Sequence, residues 1–219
     1  MKQIRLRPVV STTLIVVTAA LLLSACSSPP LRFYSLATPT PATASNATSV
    51  TAPVRGATVF IDVTPVGVPE RLNRPQLVVQ RGSGGRVDVL EQDRWASSFN
   101  NELQDTLSND IAAELGAVDV KHGGRQAGQP VYRISVNVRQ FDAIGGERVD
   151  AAFGWTVTST DDLRSATCQA TYSVPVGLGG TDALVSAIQK TVAMAGTAIS
   201  ATVNDVRASS VGSAVSCRS

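Results

Sequence analysis

Few side chains in this 219-residue chain could do covalent or metal chemistry: three cysteines, one histidine and scattered carboxylates. A thiol can carry an acyl group, pair with a second thiol or bind a metal. No Cys-x-x-Cys is present, and a single histidine cannot build a His-rich metal site. That residue, His122, sits in a polar Lys-His-Gly-Gly-Arg stretch and reads as an exposed loop side chain. A Ser–His–Asp relay would have to use it. Gly82-Ser83-Gly84 lacks the Gly-x-Ser-x-Gly form of a nucleophile elbow. There is no phosphate-binding glycine loop with its lysine. Asp161-Asp162 reads as a solvated turn. The expectation is a protein with no catalytic residues, no metal and no cofactor.

The thiol with a clear context is Cys26. Lys2, Arg5 and Arg7 precede the apolar run Leu14–Leu23, which ends in Leu23-Ser24-Ala25-Cys26. Positive start, apolar middle and small residues at the cut are the order of an export signal. The run is short of the roughly 20 residues a bilayer span takes. Leu-Ser-Ala-Cys resembles the bacterial lipobox, whose Cys is acylated around signal cleavage. Residues 1–25 therefore read as a lipoprotein signal peptide and Cys26 as the lipidated residue. Ser27 stands where an Asp would retain a lipoprotein at the inner membrane, so the outer membrane is favoured, with the body facing the periplasm.

Removing that signal takes three of the 19 basic residues and no acidic one, leaving 16 Lys and Arg against 17 Asp and Glu. No basic excess remains to suggest nucleic acid. Cys168 and Cys217 form an even pair, which an oxidising compartment would join as a disulfide; two free thiols are the other reading.

The elements follow from periodicity. Residues 26–57 hold the lipidated Cys, a short docking strand around Arg32–Leu36 and an Ala/Thr/Pro/Ser-rich linker over 37–57. Residues 58–219 form one domain. Thr58–Val63 alternates as a strand, and Leu77–Arg81 and Arg86–Glu91 read as a hairpin. Trp95, Phe99, Leu103, Leu107, Ile111 and Leu115 recur every four residues, which predicts a helix capped by Asp93 and stopped by Gly116. Asn100, Asn101, Gln104, Asp105, Ser108 and Asn109 would face solvent. Val131–Gln140, Val149–Val157 and Cys168–Val174 form a meander. Leu184, Ile188, Val192, Ala195, Ile199, Val203 and Val206 place a helix over 182–207, with Thr181 as its cap. Two amphipathic helices each need an apolar wall. The fold class is α+β: a two-layer α/β sandwich, with a mixed, mainly antiparallel sheet and both long helices on one face.

Phe33-Tyr34-Ser35-Leu36, the run Ile61–Pro69, Leu72-Asn73-Arg74-Pro75-Gln76-Leu77-Val78 and Trp95-Ala96 opening the helix form a pattern that resembles the PqiC/YmbA lipoproteins, the ABC-type transport auxiliary lipoproteins. The resemblance covers most of residues 30–205, although the linker at 37–57 is longer. It implies a non-catalytic partner of an MCE-type periplasm-spanning protein and its ABC transporter, moving lipid between the inner and outer membranes. A ring-shaped MCE partner would suit a homo-oligomer. Three prolines stiffen the loop Pro65–Gln76, which suits a preformed contact surface. Pro69, Leu72, Arg74 and Pro75 are its candidate partner-binding residues; a loop packed across the sheet edge is the equal alternative. Two other readings remain open. One is a scaffold or chaperone of another outer-membrane complex. The other is direct lipid carriage, which needs an apolar cavity.

Overall fold

A computed structural model describes residues 29–37, 59–82, 84–125, 127–210 and 217. Cys26 and the segment 38–58 lie outside the described residues. The chain divides after Leu31, and the fold below is that of the second part.

Strand β1 is Arg32–Tyr34, β2 Phe60–Val63, β3 Gln76–Gln80 and β4 Val87–Trp95. Helix α1 spans Phe99–Leu115, followed by β5 (Val118–Asp119) and the short helix α2 (Val120–Gly123). Strands β6 (Val131–Ile144), β7 (Arg148–Ser159) and β8 (Ser165–Pro175) lead into α3 (Thr181–Ala208). The meander and the last helix stand where the periodicity placed them. Among the described residues, eight strands form one mixed sheet.

The central strand is β6. On one side it pairs antiparallel with β7, which pairs antiparallel with β8. On the other side it pairs parallel with β2 along its first half and touches β3 at its far end. Strand β4 follows β3 antiparallel, and β1 lies parallel on β4 as an edge strand.

Inward and outward residues alternate along β6 as far as Val138. A bulge between Val138 and Gln140 then resets the register, so that Phe141 and Ala143 point inward again. A strict period of two would put Gln140 in the core, so the pattern alone ends the strand there. The bulge is how the strand runs four residues further.

Both long helices cover one face. Leu103, Leu107 and Ile111 of α1 are completely buried, as are Val192, Ala195, Ile199, Val203 and Val206 of α3. Truncating such a side chain, for example Ile111→Ala, would cost about 2–5 kcal/mol. The other sheet face carries exposed Arg133, Ser135, Asn137 and Arg139 of β6, with Thr167, Gln169 and Thr171 of β8.

Two boundaries differ from the expected ones. Asp93 and Trp95 do not open α1; they end β4, and α1 begins at Phe99 with Ser98 as N-cap. Asp93 is held elsewhere, by Arg32 of β1. The Trp95 ring still packs on Phe99 at 5.5 Å across the strand–helix corner, which preserves the four-residue spacing without a helix. Thr181 is the first residue of α3 and Gly180, with φ 64°, is the cap; the Thr181 hydroxyl donates to Asp93 instead.

Candidate interaction surfaces

Three polar constellations outside the core could carry function. The first fastens β1. The Arg32 guanidinium grips Asp93 with two bonds, Nε to Oδ1 at 2.6 Å and Nη2 to Oδ2 at 2.9 Å, the planar fork geometry that Arg–carboxylate pairs favour. The Tyr34 hydroxyl donates to Asp182 at 2.9 Å. Burial, with that hydrogen bond second, pushes the phenol from 10 up to about 12. Beyond the strand, Leu36 is fully buried. Its N–H donates to Glu102 Oε2 at 3.0 Å, and the Ser35 hydroxyl reaches the same oxygen at 3.1 Å. The other oxygen of Glu102 accepts from the Ser97 N–H at 3.1 Å and hydroxyl at 2.9 Å. Gln189 of α3 donates to the Ser35 carbonyl. Buried Glu102 thus ties the N-terminal segment, the β4–α1 corner and α1 together.

The second is the proline loop. Its first half continues the β2 pairing along β6: Gly67 N–H donates to the Val136 carbonyl at 3.0 Å, and Val138 N–H to the Gly67 carbonyl at 2.7 Å. A Cβ at Gly67 would lie 2.6 Å from Asn137 Nδ2, so this close approach requires glycine. The second half turns through a 3-10 turn at Glu70–Leu72. Of the four expected contact residues, Leu72 is buried, 6% exposed, facing a small apolar recess with Leu77, Trp95, Phe99, Phe141 and Leu184. A partner cannot reach it; it anchors the loop. Pro69 is half-buried, and Arg74 and Pro75 are exposed side by side. Arg71 is fixed by Asp142 at 2.9 Å, whereas Arg74 makes no ion pair with a described residue.

The third lies where α1 meets β5. Buried Asp119 accepts from the Ser108 hydroxyl and, at 2.8 Å, from the Lys121 N–H; His122 Nδ1 is 3.2 Å from Oδ2. Burial works to raise this carboxyl, but the three partners together hold it below the usual value. Ser108, expected on the solvent face, is buried because this bond fastens α1 to β5. A nucleophilic relay needs the imidazole between carboxylate and hydroxyl. Here hydroxyl and imidazole approach the same carboxylate oxygen, so His122 is not set to take the Ser108 proton. Among the described residues no three His, Cys, Asp or Glu side chains group as metal ligands. Little in the sequence marks Glu102 and Asp119; each is a lone acid beside apolar positions.

Cys168 and Cys217 are joined, Sγ to Sγ at 1.99 Å, so the C-terminal tail is bonded to β8. No described helix is long and apolar enough to cross a membrane.

Residues 34–200 match the family model described as ABC-type transport auxiliary lipoprotein component. The chain belongs to this family. The match begins at the last residue of β1 and ends within α3, so it takes in Tyr34–Leu36, the proline loop and the α1–β5 junction. No curated protein matches. Solved structures share the fold of this auxiliary lipoprotein. A crystal structure of an uncharacterized protein aligns with TM-score 0.59 at 17% identity, over 80% of this chain and 99% of that one. A protein from Xanthomonas campestris aligns with TM-score 0.53 at 15% identity, over 80% and 93%.

Proposed function

We propose that this auxiliary lipoprotein is a lipid-anchored, non-catalytic subunit of an MCE-type lipid-transport system, held at the outer membrane through Cys26 and facing the periplasm. The family match over 34–200 carries the reading, because an auxiliary lipoprotein of an ABC-type system serves a transporter rather than a reaction of its own. The exported, lipobox-like N-terminus agrees with it. The docking surface is the exposed turn of the proline loop, with Arg74 and Pro75 at its crest, Pro69 at its flank and Leu72 holding it from beneath. The backbone bonds to β6 and the buried Leu72 preform the turn, which lowers the ordering cost of binding. An unpaired guanidinium beside an exposed proline suits an acidic, partly apolar patch on the MCE protein.

Co-purification from membranes tests this. With Arg74→Glu, recovery of the MCE partner is expected to fall about tenfold, the size of one lost charged contact of about 1.4 kcal/mol. The Leu72→Ala variant reports on the anchor separately, through a lower melting temperature. Undiminished recovery with a folded Arg74→Glu protein would remove the loop from the interface.

A further inference from the structure

The strand directions gather several connections at one end of the body. Strand β3 ends at Gln80, whose carbonyl accepts from the Gly145 N–H of the β6–β7 turn at 3.2 Å. Val176, following β8, donates to the Glu147 carbonyl of the same turn at 2.8 Å. Leu178 lies just beyond, fully exposed within Gly177-Leu178-Gly179-Gly180. Arg81 and Arg86 flank the β3–β4 turn, both about 70% exposed, and share one carboxylate, Asp88. A bare leucine on a glycine-rich loop, at the same end as two exposed guanidiniums, is the composition of a bilayer-contacting rim.

The strand directions say on which side of the body β1 begins. Strand β1 is parallel to β4, which runs away from the β3–β4 turn, so the chain enters Arg32 from this same end. Five residues separate Cys26 from Arg32, a reach of about 20 Å when fully extended. Arg32 is level with Asp93, six residues along β4 from Val87, which is again about 20 Å. The length of chain ahead of Arg32 thus matches the length of β4 between Arg32 and this end.

We propose that the end formed by Gly177–Gly180, Arg81 and Arg86 rests on a phospholipid bilayer, with the Leu178 side chain inserted among the acyl chains and the two arginines at the headgroup phosphates. The proposal rests on lipid attachment at Cys26. It adds the orientation that the tether alone leaves free. The opposite end carries another exposed leucine, Leu163, in the β7–β8 turn. Strand β7 puts about 36 Å between the two ends.

The test uses the full lipidated chain in vesicles of phosphatidylethanolamine and phosphatidylglycerol, with and without brominated acyl chains. Single tryptophans replace Leu178, Leu163 or Thr171, the last on the open sheet face. Emission from the parent chain, whose Trp95 and Trp155 are buried, is subtracted. Bromolipid is expected to quench Leu178→Trp at least twofold and to leave Leu163→Trp and Thr171→Trp unchanged. Quenching at either of those without Leu178, or at none, overturns the proposal. Mass measurement of the same preparations reads acylation of Cys26 directly. An unmodified Cys26 would refute the anchor itself, and the quenching result would still decide whether this end binds lipid.

Discussion

The two extremities of the folded chain are both tied down, but by different bonds. The N-terminal segment is held on β4 and α1 by charged hydrogen bonds to Asp93 and Glu102. The C-terminal tail is held on β8 by a covalent bridge to Cys168. The first acts in the folded state, where a buried carboxylate satisfies four donors and becomes costly only when it loses them. The second acts mainly on the unfolded chain, by removing conformations it could otherwise visit. One fastening should answer to single-atom changes, the other to reductant.

The largest expected effect breaks the covalent side. Replacing both cysteines, Cys168→Ala with Cys217→Ser, opens a loop with a sequence separation of 49. On the chain-entropy model this costs about 4 kcal/mol. Urea unfolding of the variant should show that loss, and dithiothreitol should then change nothing further. A variant as stable as the parent would mean that the tail adds no constraint. Next comes Glu102→Ala, which strands the buried Leu36 N–H and the Ser97 N–H. About 2–3 kcal/mol is expected, with faster protease cleavage near Ser35–Ala37. Glu102→Gln should recover part of it, whereas a purely space-filling role for Glu102 would make Gln equal to the parent. The smallest effect is in pH. The folded Tyr34 phenol is raised from 10 to about 12, so its contribution is complete below pH 10 and is lost as pH climbs toward 12. The difference in stability between the parent and Tyr34→Phe should narrow over that window. A constant difference would show that neither burial nor the Asp182 bond favours the protonated phenol.

The antiparallel half was legible in the residues because its information is local. Alternation in β6, β7 and β8 and the four-and-three stepping of α3 each report burial within one element. The parallel half depends on partners far away in the chain. Nothing near Asp93 says that its carboxylate belongs to Arg32, 61 positions earlier, and an acid before an apolar series imitates a helix cap. Ser108 looked solvent-facing because its partner Asp119 sits in a two-residue strand too short to have a period. The proline loop was visible as a rigid segment. Its division into a sheet-bound half and an exposed turn came only from the Gly67–Asn137 bridge and the burial of Leu72.

The parallel pairing of β1 on β4 also has a mechanical meaning. A pull on the chain ahead of Arg32, directed along β4, loads the backbone bonds of β1 and the Arg32–Asp93 fork together, in shear, rather than peeling them one at a time. The next resistance is the Ser35–Leu36 grip on Glu102. Tension along the chain would thus meet opposition at the first residues of the fold, before it reached the helices or the proline loop.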